Sequence, residues 1–240
     1  MLDTVVYLKF VKNFCKSYDK NTMKYELYGL YVITDKKLIP RGRFVETVEK
    51  ALKGGARIVQ LRGKDTPSDE IIELGRRLIE VTRRYNTPLI INDYPVLARE
   101  IGADGVHLGS EDTTVTEARG IMGGEAIIGV SCYGSIKRGI EAEKEGANYL
   151  AFGTPFFTPT KPERELTPFS VLSEAKQVLK NIPVFAIGGI NVENAYLILD
   201  MGVDGIAVIT SVFGSPDPEA ISRELSSLCQ GRLRNSISIC

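Results

Sequence analysis

The chain of 240 residues has no tryptophan, one histidine and four cysteines, and these shortages argue against several kinds of site. The cysteines lie far apart or near the termini, and none forms a Cys-x-x-Cys pair. Since structural zinc sites are built from cysteine and histidine, the sequence argues against a zinc centre. A Ser-His-Asp or Cys-His hydrolase would have to use His107 as its base. The scattered cysteines are typical of reduced thiols, which predicts a cytoplasmic protein.

The sequence also lacks an excess of charge of either sign, because thirty Lys and Arg residues balance thirty Asp and Glu residues. A basic surface for nucleic acid or for an anionic membrane is therefore not expected. No apolar run approaches the roughly 20 residues that a membrane span needs. Residues 1–26 do not resemble a signal peptide, and Val5, Leu8, Val11 and Phe14 follow helical spacing within them. We predict an N-terminal extension over 1–26 that contains an amphipathic helix.

Short apolar runs alternate regularly with charged segments of helical period. Eight runs are rich in β-branched residues, at 30–34, 58–61, 89–92, 105–108, 127–131, 149–153, 184–187 and 205–209. The segment 69–84 between two of them has the apolar period of an amphipathic helix. Alternating strands and helices imply parallel pairing, and eight strands favour a closed (β/α)₈ TIM barrel over an open doubly wound sheet. We predict one barrel domain over 27–228 and a tail over 229–240.

A repeated glycine pattern supports the barrel. Gly102, Gly146 and Gly202 are each followed by Ala or Val shortly before an apolar run. Glycine at this place commonly ends a helix, because it adopts the left-handed conformation that terminates one. The pattern predicts helix ends that lead directly into the next strand.

Polar residues follow the predicted strands, where the active site of a parallel barrel lies. Gln60, Arg62 and Lys64 alternate at the end of the second strand, so they are expected to project from one side of the pleat. Two cations on one face of a barrel mouth indicate an anionic ligand such as phosphate or pyrophosphate. Ion pairs with neighbouring Asp or Glu side chains are the alternative.

Two carboxylates follow neighbouring strands, Asp93 after the third and Asp112 after the fourth. Such a pair suits Mg²⁺, which takes one or two carboxylates together with substrate phosphate oxygens. The pair could instead be a general acid and base, or simply two solvated loop acids. The neighbouring cations favour metal-bound pyrophosphate.

A second anion site is expected after the last two strands. Gly188 and Gly189 follow the seventh strand, and Thr210 and Ser211 follow the eighth. The loops after these two strands are a recurrent phosphate site in TIM barrels. His107 is interpreted as a packing residue whose replacement by Asn is tolerated, and Tyr31 is interpreted as a side chain that fills the barrel.

Seven motifs in register resemble the thiamine-phosphate synthase family, over about residues 28–215. They lie at 60–65, 92–93, 106–112, 129–131, 158–161, 186–190 and 209–210. The resemblance implies a transferase that couples 4-amino-5-hydroxymethyl-2-methylpyrimidine diphosphate to a thiazole phosphate alcohol, releasing thiamine phosphate and pyrophosphate. It implies small-molecule substrates and Mg²⁺, and it leaves open whether the chain forms a homo-oligomer.

Residue roles follow from the same resemblance. The residues implied to hold the pyrimidine diphosphate are Gln60, Arg62, Lys64, Asn92, Ser131 and Lys161, and Arg62, Lys64 and Lys161 also stabilise the departing pyrophosphate. The residues implied to hold the thiazole phosphate are Thr158, Thr160, Gly189, Ile209 and Thr210. Asp93 and Asp112 are implied to bind Mg²⁺.

The sequence departs from the family pattern at a few positions. Tyr94 and Val96 stand where the family usually has Arg and Asp, and Tyr133 stands where it commonly has His. Thiazole tautomerase, on the same fold, is the nearest rival, but it tends to lack the metal carboxylates and uses a histidine near the end of the fifth strand. The sequence also leaves open a phosphosugar isomerase or lyase barrel and a ligand-binding barrel without turnover.

Overall fold

Eight parallel strands pair side by side in chain order, and the first pairs with the last to close the ring. The computed structural model describes residues 24–158 and 165–237, with side chains as far as residue 231. The strands are β1 (Gly29–Ile33), β2 (Ile58–Leu61), β3 (Leu89–Asn92), β4 (Gly105–Leu108), β5 (Ile127–Tyr133), β6 (Tyr149–Phe152), β7 (Val184–Ile187) and β8 (Gly205–Val208). The predicted TIM barrel is confirmed, and β2, β3, β4 and β7 have the predicted bounds.

Helices connect the strands and surround the ring. They are α1 (Phe44–Lys53), α2 (Ser68–Arg84), α3 (Pro95–Ile101), α4 (Val115–Met122), α5 (Ile136–Lys144), α6 (Phe169–Val178), α7 (Ala195–Leu199), α8 (Thr210–Phe213) and α9 (Pro218–Ile237), with a 3₁₀ turn at Arg41–Arg43 before α1. Helix α9 continues across residue 228, where the sequence predicts the start of a tail. Among the described residues, no helix is both long enough and apolar enough to cross a membrane.

Alternate residues of each strand face the inside of the ring. In β1, Tyr31 and Ile33 belong to a cluster of buried side chains within the barrel, whereas Leu30 and Val32 belong to the larger core beneath the helices. Because successive side chains of a strand point to opposite faces, the strand contributes to both cores, one inside the ring and one beneath the helices.

The N-terminal end of the barrel is filled by the residues just before β1. Tyr25 and Leu27 are buried in the inner cluster, and Lys24 pairs with Asp104, just before β4, at 3.5 Å. Tyr25 thus packs with the barrel although it falls within the predicted 1–26 extension. The predicted amphipathic helix lies outside the described residues.

The repeated glycines occupy the conformation expected at helix ends. Gly102, Gly146 and Gly202 have φ values of 76°, 91° and 84°. Each lies between a helix and the strand that follows it. The interpretation of these glycines as helix terminators is confirmed.

The last helix packs against the first elements of the barrel. Helix α9 lies beside α1 and β1, and the Ser226 hydroxyl donates to the Gly55 carbonyl at 3.2 Å. On the same side, Gly29 and Gly205 are partners in the β1–β8 pairing that completes the ring. The chain therefore closes on itself at this seam.

Candidate active site

A cavity of about 440 Å³ opens at the C-terminal ends of the strands, within the size range of small-molecule sites. Polar groups line its wall from β2 to β8 and the loops that follow these strands. Apolar side chains such as Ile33 of β1 and Ile187 of β7 line it as well. The predicted site residues that line it are Gln60, Arg62, Asn92, Ser131, Thr158, Gly189, Ile209 and Thr210. Residues from both predicted anion sites therefore line one cavity.

Arg62 stands on the wall that β2 contributes. Its backbone N–H donates to Thr34 Oγ1 at 3.1 Å, which ties the end of β2 to the end of β1. Its Nη1 atom lies 3.8 Å from Asp35 Oδ2, and both side chains are largely buried. The ion pair considered as an alternative is thus present, but its length exceeds that of a hydrogen bond. The five guanidinium donors leave capacity for an anionic ligand.

Ser131 lies on β5 and contacts the one histidine of the chain. Its hydroxyl is 2.9 Å from His107 Nε2, and His107 Nδ1 is 2.9 Å from the Tyr149 hydroxyl. His107 also lines the cavity itself. The interpretation of His107 as a packing residue misses these contacts. The inward positions of β4, β5 and β6 are the signal that could have found them.

The opposite wall is formed by the ends of β6, β7 and β8. Gly189 accepts a hydrogen bond on its carbonyl from Asn194 Nδ2 at 3.0 Å, which holds the loop after β7. The Ser211 hydroxyl donates to the Ile190 carbonyl and joins this loop to the start of α8. Of the residues predicted for the thiazole phosphate, Gly189, Ile209 and Thr210 therefore lie on two loops that are tied together, and Thr158 follows β6.

Three predicted residues do not line the cavity. Lys64 is exposed in the loop beyond β2, so the expected alternation on one face holds for Gln60 and Arg62 only. Asp93 and Asp112 are half-buried after β3 and β4, and Asp112 lines a separate pocket of about 150 Å³. Thr160 and Lys161 lie outside the described residues.

The two aspartates are tied to neighbouring strand ends, Asp93 through its backbone and Asp112 through its carboxylate. Asp93 N–H donates to the His107 carbonyl at 2.9 Å, and Asp112 Oδ2 accepts from Gly109 N–H at 2.6 Å. Across residues 24–158 and 165–237, no group of three or more His, Cys, Asp or Glu side chains is placed to hold a metal ion. Two carboxylates that share a cation with substrate phosphates are nevertheless a donor set that suits Mg²⁺.

Tyr133 and Arg138 fix the loop that carries Asp112. The Tyr133 hydroxyl accepts from Ser110 N–H at 3.2 Å. Arg138, at the start of α5, donates to the carbonyls of Gly109 and Ser131, both at 2.7 Å. The tyrosine at the position of the family's usual histidine thus bonds to the loop after β4.

The sequence and the fold are similar to those of known proteins. A family model described as "Thiamine monophosphate synthase" matches residues 30–212. The chain belongs to the thiamine monophosphate synthase family. It is 46% identical over 200 residues to a thiamine-phosphate synthase of Methylococcus capsulatus, covering 83% of this chain and 88% of that protein. It is 43% identical over 203 residues to one of Clostridium novyi, covering 84% and 98%.

A solved structure of the same family has the same barrel. Thiamine phosphate pyrophosphorylase from Pyrococcus furiosus superposes with a TM-score of 0.79 at 41% identity, covering 86% of this chain and 97% of that one. The cavity residues from Gln60 to Thr210 all lie within the stretch that the thiamine monophosphate synthase model matches. The resemblance inferred from the motifs is therefore confirmed as membership of the family.

Proposed function

We propose that the protein condenses 4-amino-5-hydroxymethyl-2-methylpyrimidine diphosphate with 4-methyl-5-(2-phosphooxyethyl)thiazole, giving thiamine phosphate and pyrophosphate. The observation that carries the proposal is the single cavity between two polar walls. One wall holds Gln60, Arg62, Asn92 and Ser131, and the other holds Thr158, Gly189 and Thr210. Two substrates with one phosphate-bearing end each fit such a cavity, and the chain's membership of the family supports the pairing.

The pyrimidine diphosphate belongs on the wall formed by β2, β3 and β5. Arg62 supplies a planar fork of donors that matches phosphate oxygens. Gln60 and Asn92 carry amide groups that both donate and accept, as a pyrimidine edge requires. The apolar side chains of Ile33 and Ile187 offer flat contact for the ring.

The thiazole phosphate belongs on the wall formed by β6, β7 and β8. Thr158 and Thr210 offer hydroxyl donors, and the backbone of Gly189 lies open to the cavity. The loops after the seventh and eighth strands hold phosphate in many TIM barrels. This placement brings the thiazole nitrogen toward the pyrimidine methylene carbon in the middle of the cavity.

The reaction requires one bond to break and one to form. The bond between the methylene carbon and the diphosphate oxygen breaks, and its electron pair leaves with pyrophosphate. The electron-donating amino group of the pyrimidine stabilises the resulting cation, and the thiazole nitrogen lone pair forms the new carbon–nitrogen bond. No net proton transfer is needed, which suits a chain with one histidine.

The protein's part is to position both partners and to stabilise the charge on the leaving group. Arg62 does this from the cavity wall, and Lys64 and Lys161 are proposed to do so from the flanking loops. Asp93 and Asp112 would hold Mg²⁺, which neutralises charge on the diphosphate. The buried free thiols Cys132 and Cys229 fit the cytoplasmic location that we propose.

The test is pyrophosphate release from the purified protein with both precursors, with one precursor alone, and with or without Mg²⁺. We expect release that requires both precursors and the metal, with thiamine phosphate as the co-product. Release from the pyrimidine diphosphate alone, or thiazole tautomerisation without condensation, would contradict the proposal. A folded protein that performs neither reaction would point to a binding barrel without turnover.

A further inference from the structure

A chain of hydrogen-bonded side chains crosses the inside of the barrel beneath the cavity. Gln60 Nε2 donates to the Tyr31 hydroxyl at 2.5 Å, and the Tyr31 and Tyr149 hydroxyls are 2.8 Å apart. The Tyr149 hydroxyl is 2.9 Å from His107 Nδ1, and His107 Nε2 is 2.9 Å from the Ser131 hydroxyl. Both ends of this chain line the cavity, on the wall assigned to the pyrimidine diphosphate.

One direction gives every hydroxyl proton of these side chains an acceptor, and we adopt it. Tyr31 accepts from the Gln60 amide and donates to Tyr149, and Tyr149 donates to His107 Nδ1. The proton of the imidazole then lies on Nε2 and is donated to Ser131. Burial raises the pKa of both tyrosines, so each phenol keeps its proton.

Ser131 is the last side chain in this series of hydrogen bonds, and its hydroxyl both accepts and donates. Its oxygen accepts from His107, so its own hydroxyl proton has to be donated elsewhere. Ser131 is half-buried and faces the cavity. Its proton is therefore available to an acceptor in the cavity, such as an oxygen of a bound diphosphate.

The strands are built to make this chain possible. Gly129 on β5 pairs with His107 on β4 on one side and with Tyr149 on β6 on the other. Since glycine has no side chain there, the Tyr149 ring lies across β5 and stacks on the imidazole, with ring centres 5.5 Å apart. Tyr31 and Phe185 pack edge-on against the same ring, at 5.7 Å and 5.6 Å. The hydrogen-bonded side chains are thus held in place by a packed core.

We infer that Tyr31, Tyr149 and His107 are positioning residues, which orient the Ser131 hydroxyl as a hydrogen-bond donor to the departing diphosphate. The inference rests on the proposed function, because it takes Ser131 as a contact of that substrate. A donor that is oriented before the reaction costs no reorganisation when charge builds up on the leaving oxygen. The same chain fixes the Gln60 amide, so its remaining groups face the substrate in one orientation.

The test is a double-mutant cycle on the full-length protein with Tyr149→Phe and Ser131→Ala. Tyr149→Phe removes one hydroxyl and keeps the ring, so the direction of the chain is lost while the packing stays. We expect kcat to fall roughly tenfold to a hundredfold, while KM for the pyrimidine diphosphate changes by less than about threefold, because the oriented donor acts mainly on the transition state. In the Ser131→Ala background, the same change is expected to alter kcat by less than about twofold, since no hydroxyl is left to orient.

The matched control is Tyr85→Phe, which removes a hydroxyl that bonds to Glu49 on the outside of the barrel at 3.1 Å. It is expected to leave kcat unchanged in both backgrounds. Circular dichroism and thermal melting check the fold of each variant, and His107→Asn replaces Tyr149→Phe in the cycle if the latter does not fold. With the contacts of His107 known, we expect His107→Asn to lower kcat, in place of the tolerance expected from the sequence.

Two results would overturn the inference while the proposed function stands. One is a Tyr149→Phe protein with kcat within about twofold of the wild type. The other is an equal loss from Tyr149→Phe in both backgrounds, because additive effects mean that Tyr149 does not act through Ser131. A folded wild-type protein that makes no thiamine phosphate in the same assay would instead overturn the proposed function, and the inference with it.

Discussion

A β-carbon on Gly129 would lie 2.0 Å from Cζ of Tyr149, so the tyrosine ring fills the space that a side chain there would need. Gly129→Ala is therefore expected to lower the free energy of unfolding by about 3 kcal/mol, since the ring and β5 have to move apart. Urea unfolding followed by circular dichroism measures the change.

Gly120→Ala is the control for this substitution. Gly120 is exposed in α4 and has nothing within 4 Å of an added β-carbon. Alanine there is expected to raise the free energy of unfolding by up to about 1 kcal/mol, because it is the better helix former. Equal effects of the two substitutions would show that Gly129 does not make room for Tyr149.

Arg62→Lys keeps the positive charge on the cavity wall but removes the planar fork. We expect kcat to fall about 100-fold, because one preorganised donor set on the departing pyrophosphate is lost. Steady-state kinetics with varied pyrimidine diphosphate measure the loss. The control is Arg76→Lys, at an exposed arginine of α2 that pairs with Glu100 at 3.6 Å. An Arg62→Lys protein as active as the control would show that charge alone suffices at this position.

Asp93→Asn and Asp112→Asn each remove one predicted ligand of Mg²⁺ and keep the size of the side chain. We expect the Mg²⁺ concentration for half-maximal activity to rise at least about tenfold in both variants. Titration of activity with Mg²⁺ at saturating substrates measures it. Glu111→Gln removes a charge from the same loop as Asp112 and serves as the control. An unchanged Mg²⁺ requirement in either aspartate variant would remove that residue from the metal site.

Burial raises the pKa of Cys132 and of Cys229 to about 12 in each case. Both thiols are thus protonated and shielded in the folded protein, and we expect iodoacetamide at about pH 8 to modify them only after unfolding. Peptide mass spectrometry with and without guanidinium measures this. Rapid labelling of either cysteine in the native protein would contradict the burial.

The same shift predicts how stability depends on alkaline pH. The folded state holds these thiol protons up to a pH of about 12, whereas the unfolded chain releases them from about pH 8.5. The unfolded state therefore binds fewer protons in this range, and the free energy of unfolding falls as pH rises through it. Urea titrations at several alkaline pH values test the sign, and Cys132→Ala is expected to weaken the dependence.

The barrel could be predicted from the sequence because each strand is a short buried run between punctuating residues. The period of two also assigns Gln60 and Arg62 to one wall, and both line the cavity. Arg62 follows the last residue of β2 directly and keeps the alternation, whereas Lys64 lies three residues beyond Leu61, where the pleat no longer dictates the direction of a side chain. Positions in loops depend on tertiary contacts that no local pattern encodes.

The link between His107 and Tyr149 could not be predicted, because it depends on register across three strands. The sequence shows a histidine, a glycine and a tyrosine about twenty residues apart, each with an ordinary packing role. Only the pairing of His107 with Gly129, and of Gly129 with Tyr149, brings the two rings together. Register is set by the closure of the whole ring rather than by any one strand.

The pairing of β1 with β8 affects how the chain folds during synthesis. During synthesis, β1 emerges early but finds its second neighbour only when Gly205 and the rest of β8 have left the ribosome, so the nascent chain carries two open sheet edges until then. Pairing across nearly the full length of the chain is slow compared with local pairing. Open edges are prone to join other chains. Translation that stops before β8 is therefore expected to leave an aggregation-prone intermediate, because only the pairing of β1 with β8 closes the ring.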